Sequence, residues 1–218
     1  IKLMAMDPTH TILVHLKLHA GQFEYYKCLK TMIIGLNMLN LFKLIKTMNN
    51  NDYLSFFIDK NNNNKLGIKI NNCDKKVETL YYLNLMDLQE SNIEIPQVKF
   101  PSLITIPSSD FQKLMRDMTN IGENVEIKSI GEQLQFSCIG DFASQETIID
   151  CSEQIANIDE QLIGTYSLKY INLFTRATSM CSSVQLMMES DMRFLVLKYN
   201  VANLGELKFY LATKVSED

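Results

Sequence analysis

"INLFTRATSM", residues 171–180, has a twin in the same chain. "LNLFKLIKTM", residues 39–48, carries the same Asn-Leu-Phe and the same closing Met in the same register, with Asn40 answering Asn172 and Met48 answering Met180. Both show the apolar rhythm of an amphipathic helix, and both are followed by a polar turn and an alternating strand. That pattern is an internal repeat, two copies of one supersecondary unit; chance likeness between two amphipathic helices is the competing reading.

A third helix lies between the twins. "SSDFQKLMRDM", residues 108–118, follows Pro107 and places Phe111, Leu114, Met115 and Met118 on one face, with Ser108 or Ser109 expected to cap its start. If the repeat holds, the counterpart of this helix falls before Ile1, so an N-terminal piece is expected to precede the sequence. The helix around residues 167–178 should bury Leu168, Ile171 and Phe174, and the first helix is expected over residues 36–48.

Everything else alternates. The expected inward sets are Ile12, Val14, Leu16 and Leu18; Leu54, Phe56 and Ile58; Leu66, Ile68 and Ile70; Leu134, Phe136 and Cys138; and Leu207, Phe209 and Leu211. Alternation bounded by polar clusters such as "NNND" and "KNNNNK" predicts antiparallel strands with one wet face. "NLMDLQESNIEIPQ", residues 84–97, is too long for a hairpin turn and too apolar for an inert linker. It reads as a connector between the copies, carried over the outside of a sheet. The expected organisation is an α+β fold, predominantly antiparallel β, with a first domain at residues 1–84, a connector at 85–97 and a second domain at 98–218.

The totals exclude several classes. At 218 residues and 46% hydrophobic the chain can bury a real core, and its apolar runs fall short of the ~20 residues of a membrane helix. Cys28, Cys73, Cys138, Cys151 and Cys181 are scattered and odd in number, which reads as reduced thiols of an intracellular protein. A net charge of -4 argues against a broadly basic surface but permits a local one. There is no phosphate-binding glycine loop and no nucleophile elbow. His10, His15 and His19 have no acidic or cysteine partners at ligand spacing, and His15 reads as a surface-strand residue. No catalytic set, metal site or cofactor is expected.

The helices carry the bases. Lys43 and Lys46 are neighbours on the first, Lys113 and Arg116 on the second, and Lys169 and Arg176 lie two turns apart on the third. Acids collect elsewhere, at Asp87, Glu90, Glu94, Glu146, Glu153, Asp159 and Glu160. For any single helix this is ordinary solvation. For all three it is a polarised charge distribution suited to sequence-blind phosphate contact. One more feature stands out: Leu13 shares a strand face with Thr11, His15 and Lys17. With Met6 nearby and Ile93, Ile95 and Pro96 in the connector, two readings fit equally: a groove for a short partner segment, or a connector that covers a bare sheet.

The phrases "MAMDPTHTILVHLKL", "LNLMDLQESNIEIPQ", "SSDFQKLMRDMTNIGENVEI", "SLKYINLFTRAT" and "LGELKFYLATK" resemble, in order, the sliding clamps of the eukaryotic PCNA family. The resemblance implies two similar domains of the DNA-clamp type, helices on the inner face and sheets outside, and a homotrimeric ring around duplex DNA. It implies that Lys43, Lys46, Lys113, Arg116, Lys169 and Arg176 face DNA. It also implies a partner-peptide groove at Met6, His10, Leu13, Ile93, Ile95, Pro96, Tyr210, Leu211 and Ala212, serving DNA polymerase, ligase, nuclease and clamp loader. Subunits would join by strand edges at residues 77–83 and 147–152, and the protein would work in the nucleus or a viral replication compartment. Thr11, Phe194 and Thr213 depart from the family pattern around the groove. A checkpoint-type or monomeric viral processivity factor of the same fold, and a β-rich peptide adaptor without DNA binding, are the alternatives.

Overall fold

The computed structural model describes residues 1–59, 62–88, 100, 102–151, 161–189, 191 and 193–214. They fall into two compact units, one of Ile1–Tyr26 with Ile93–Asp218 and one of Lys27–Asn92.

The strands of the larger unit are β1 (Lys2–Met6), β2 (Ile12–Leu18), β6 (Ser102–Pro107), β7 (Asn124–Ile130), β8 (Gln133–Ile139), β9 (Ser144–Asp150), β10 (Leu162–Ser167), β11 (Ser183–Met188), β12 (Phe194–Val201) and β13 (Gly205–Ala212). The smaller unit holds β3 (Asp52–Asp59), β4 (Asn62–Asn72) and β5 (Val77–Asn84). In the larger unit one sheet runs in the order β1-β2-β13-β12-β11-β6 and a second in the order β10-β7-β8-β9; the smaller unit has β3-β4-β5. Among the described residues every ladder is antiparallel, so the expected α+β, predominantly antiparallel class is the observed one. The first two strands join the sheet through β2 against the last strand, β13. Gly205 permits the close approach at that seam: a Cβ there would stand 1.9 Å from the Lys17 carbonyl.

The larger core lies between these two sheets and two helices. It gathers Ile104, Ile106, Val184, Leu186, Leu195, Leu197 and Leu211 from one sheet and Val125, Ile127, Leu134 and Phe136 from the other. Helix α2 (Ser108–Thr119) adds Phe111, Met115 and Met118, and α3 (Leu168–Phe174) adds Leu168, Ile171 and Phe174. The Phe174 ring stacks on Phe209 with centroids 4.5 Å apart and planes 10° apart. These are the stripes expected from helical spacing. Chain α3 then tightens into a 3-10 segment, Thr175–Met180, where Thr175 Oγ1 donates to the Asn172 carbonyl at 3.0 Å.

Four expectations need correction. No side-chain cap bond is made at α2: Pro107 holds the cap position, and Ser109 Oγ donates to the Asp110 carboxylate at 3.3 Å rather than serving the helix backbone. Strand β6 runs straight into this helix, and the Ser108 N–H is already taken by the Ser182 carbonyl at 2.9 Å. Helix α1 is shorter than its pattern, Met38–Ile45, because Asn37 stops it by accepting from the Asn40 N–H at 3.0 Å. Leu54 and Phe56 are exposed. The small core, Leu41, Leu66 and Ile68, centres on α1, β4 and β5, so among the β3 side chains expected inside only Ile58 packs against it. His15 is buried at 7% exposure, with neither ring nitrogen bonded. It sits on an interior strand between Met4 and Lys208, not on an outer one.

The letter-for-letter register of the repeat also fails. Phe42 is 59% exposed and Phe174 4%, while Leu41 is 8% exposed and Leu173 44%. The matched letters therefore lie on opposite helix faces. Sliding one helix by two residues restores the correspondence: the cap positions Asn37 and Ser167 coincide, and Leu41, Leu44 and Ile45 meet Ile171, Phe174 and Thr175. The strands repeat more faithfully than the helices. "VETLYYLN" of β5 matches "GELKFYLA" of β13, and the ion pair Lys69–Glu78 at 2.7 Å has its counterpart in Lys198–Glu206 at 3.3 Å.

All five cysteines are free thiols. Among the described residues no helix is long and apolar enough to cross a membrane, and no group of side chains is arranged to hold a metal.

Candidate nucleic-acid and peptide interfaces

Side-chain hydrogen bonds lock α2 to the α3 segment. Gln112 Nε2 donates to the Thr175 carbonyl at 2.8 Å, and Thr178 Oγ1 reaches the Ser108 carbonyl at 3.4 Å. Asn172 Nδ2 donates to Thr119 Oγ1 at 2.6 Å and to the Met115 carbonyl at 3.3 Å. With both inner faces taken by the core, the opposite faces are left to solvent.

Those faces carry the bases. At roughly 100° per residue, Gln112 and Thr119 mark the flank of α2 that meets α3. Arg116 lies between that flank and Lys113, whereas Asp110 and Asp117 fall on the far side. Along α3 and its 3-10 continuation, Lys169, Leu173 and Arg176 form the outward ridge, and no acidic residue occurs from Leu168 to Met180. Lys113, Arg116, Lys169 and Arg176 are all exposed, and among the described residues none is in an ion pair. The Lys169 ammonium stands 5.6 Å from the Tyr170 ring centre. In the smaller unit, Lys43 and Lys46 are likewise exposed on the side of α1 away from Leu41. Cations that are held close together but unpaired present an attractive potential to a polyanion.

The second site lies on the six-stranded sheet, on the face away from the main core. Leu13, Val196 and Tyr210 form a separate apolar cluster there, bordered by Met6, Phe100, Met187 and Phe194. The register explains it: Met6 pairs with Leu13, Leu13 with Tyr210, Tyr210 with Val196 and Val196 with Met187, and directly opposed side chains share a face. Phe194 stands 6.2 Å from Phe100 and 5.9 Å from Tyr210, ring centre to ring centre. Burial raises the Tyr210 phenol above its ordinary value.

Of the sequence-assigned groove residues, Met6, Leu13 and Tyr210 come together. Leu211 faces the main core instead, Ala212 pairs with Phe194 at the sheet end, and His10 is exposed in the turn before β2 with φ of 56°. That turn is tied by Asp7, which accepts from the Ile12 N–H at 2.6 Å and from the Thr9 hydroxyl. Ile93, Ile95 and Pro96 lie outside the described residues. Sequence reasoning missed Val196, Met187 and Phe100. A signal existed for the first: "FLVL" at residues 194–197 is continuously apolar, the mark of a strand buried on both faces.

Two sheet edges complete the picture. Strand β5 ends the three-stranded sheet and exposes Val77, Leu80 and Tyr82; β9 ends the four-stranded sheet and exposes Ile148.

Comparison with known proteins agrees with these features. Residues 1–92 match the family model of the proliferating cell nuclear antigen N-terminal domain, and residues 94–214 match that of the C-terminal domain. The chain is 34% identical over 223 residues to the "Probable DNA polymerase sliding clamp 1" of Paramecium bursaria Chlorella virus 1, a match that covers 99% of this chain and 85% of that protein. Two consecutive domains of antiparallel sheets and base-bearing helices define the DNA-clamp fold. The chain belongs to the proliferating cell nuclear antigen family of DNA sliding clamps.

Proposed function

We propose that this clamp closes as a ring of three copies and slides on duplex DNA with its helices turned inward, acting without catalysis. Lys43, Lys46, Lys113, Arg116, Lys169 and Arg176 then meet phosphates. The carrying observation is the clustering of unpaired bases on the locked α2–α3 pair, with Asp110 and Asp117 on the far flank. Phosphate contacts hold register without reading bases. They suffice when topology prevents escape, and their weakness permits sliding. Edge pairing of β5 in one copy with β9 in the next closes the ring head to tail and hides both edges.

The apolar face of the six-stranded sheet serves as the docking groove. A short segment of a polymerase, ligase, nuclease or loader would seat its anchors over Leu13, Val196 and Tyr210, with Ile93, Ile95 and Pro96 contributing from the connector. The protein works where replication occurs, in a nucleus or a viral replication compartment. The test is the native mass of the purified chain together with polymerase processivity on primed DNA. Three chains per particle and clamp-dependent extension are expected; a stable monomer that still supports extension would overturn the ring.

A further inference from the structure

The same sheet face changes character within two residues of the apolar row. The register that aligns Met6, Leu13, Tyr210 and Val196 also aligns Met4, His15, Lys208 and Lys198, and after them Lys2, Lys17, Glu206 and Asn200. Successive rows on one face are roughly 7 Å apart. A band holding Lys2, Lys17, Lys198 and Lys208 therefore borders the groove directly. Its one carboxylate, Glu206, is already engaged: Lys208 holds it at 3.0 Å and Lys198 at 3.3 Å. Beneath the band lies His15, with both ring nitrogens unbonded and its own protonation disfavoured first by burial and then by Lys2 and Lys208. Four lysines against one carboxylate, in a chain of net charge -4, is a local reversal of sign.

We infer that this lysine band receives acidic side chains flanking the apolar anchors of the docked partner segment, so that the clamp selects partners whose groove-binding sequence carries an Asp/Glu-rich flank. This rests on the groove reading above and adds the charge of the partner to it. An extended segment advances ~3.4 Å per residue, so an acid two to four positions beyond an anchor reaches both lysine rows. A carboxylate flank fits better than a nucleic acid: the band is a short patch of one sheet face, and it is continuous with an apolar surface that a peptide can span and that DNA does not use. Charges at such a rim set specificity and on-rate.

The test uses fluorescent peptides with the same Leu and Phe anchors and a flank of Glu, Gln or Lys at either end, titrated against the full chain by anisotropy. At low salt the Glu-flanked peptide is expected to bind about tenfold more tightly than the Gln-flanked one, and the Lys-flanked one more weakly still. The advantage should vanish near 1 M salt. It should shrink in a Lys2→Gln/Lys17→Gln variant, whose lysines hold no ion pair among the described residues, and grow in Glu206→Gln. Equal affinity for all three flanks, or a preference untouched by Lys2→Gln/Lys17→Gln, overturns the inference while leaving the groove standing. Failure of every peptide to bind overturns the groove and this inference with it. Loss of DNA binding rather than of the flank preference in Lys2→Gln/Lys17→Gln would reassign the band to nucleic acid.

Discussion

Asn172 Nδ2 lies 2.6 Å from Thr119 Oγ1, and this bond joins the two base-bearing helices of the larger unit. The same amide also donates to the Leu168 carbonyl at 2.9 Å, while Thr119 Oγ1 donates to the Met115 carbonyl at 2.8 Å. With Gln112 and Thr178, Asn172 helps to set the spacing between Arg116 and the Lys169–Arg176 ridge. Asn172→Leu keeps the size and removes the donors. It is expected to cost about 1–2 kcal/mol in urea unfolding and to lower polymerase stimulation; unchanged stability would show that packing alone holds the pair.

Reversal of charge on the outward ridge tests the DNA assignment. Lys113→Glu with Arg176→Glu should abolish clamp-stimulated synthesis and flatten its salt dependence, because each lost phosphate contact removes about one released counterion. Peptide binding should be untouched. Stimulation equal to wild type would remove these residues from the DNA face.

At the groove, Tyr210→Ala should weaken an anchor peptide by about tenfold or more without changing the native mass. Leu13→Ala opens a cavity under the same cluster and is expected to cost roughly 2–3 kcal/mol of stability in addition. Were peptide affinity retained in both variants, the apolar face would be structural cover only.

His15 predicts a pH dependence. Its folded pKa is depressed by burial and the nearby lysines, so the unfolded chain binds the proton more readily. The stability gained from a neutral ring is complete above the unfolded value of about 6.5 and is lost as pH falls toward the folded value. Urea midpoints should therefore decline with pH through that window, and His15→Gln should remove this part of the decline. A variant with the same pH profile as wild type would exclude His15 as its source.

Much of this architecture could be read from residues alone, for identifiable reasons. Phe111, Met115 and Met118 announced their face because a helix buried on one side must repeat its apolar positions near the helical period. Leu54 and Phe56 were misread as buried because alternation reports which residues could be buried, not whether anything covers them; Ile58 on the same face is covered. His15 was misread because its place depends on being flanked on both sides, by the neighbouring β1 and by β13, which is distant in sequence. The twin Asn-Leu-Phe triplets pointed to a true duplication through a false register, since burial follows the helical angle and not the letter. Leu13 was legible as an outward apolar residue, and "FLVL" marked the strand of Val196 as buried on both faces; that Val196 and Met187 lie beside Leu13 and Tyr210 follows only from pairings between strands.

The zipping of β2 to β13 has a consequence for how the chain is made. Leu13 finds its neighbour Tyr210 only after the chain as far as β13 has left the ribosome, roughly ten to forty seconds later at ~5–20 residues per second. Until then, β2 stays unsheltered on one edge, while Lys27–Asn92 has had ample time to fold. A nascent chain therefore passes that interval with the Leu13 face unpaired, and the proposed docking surface takes shape only once β13 has emerged.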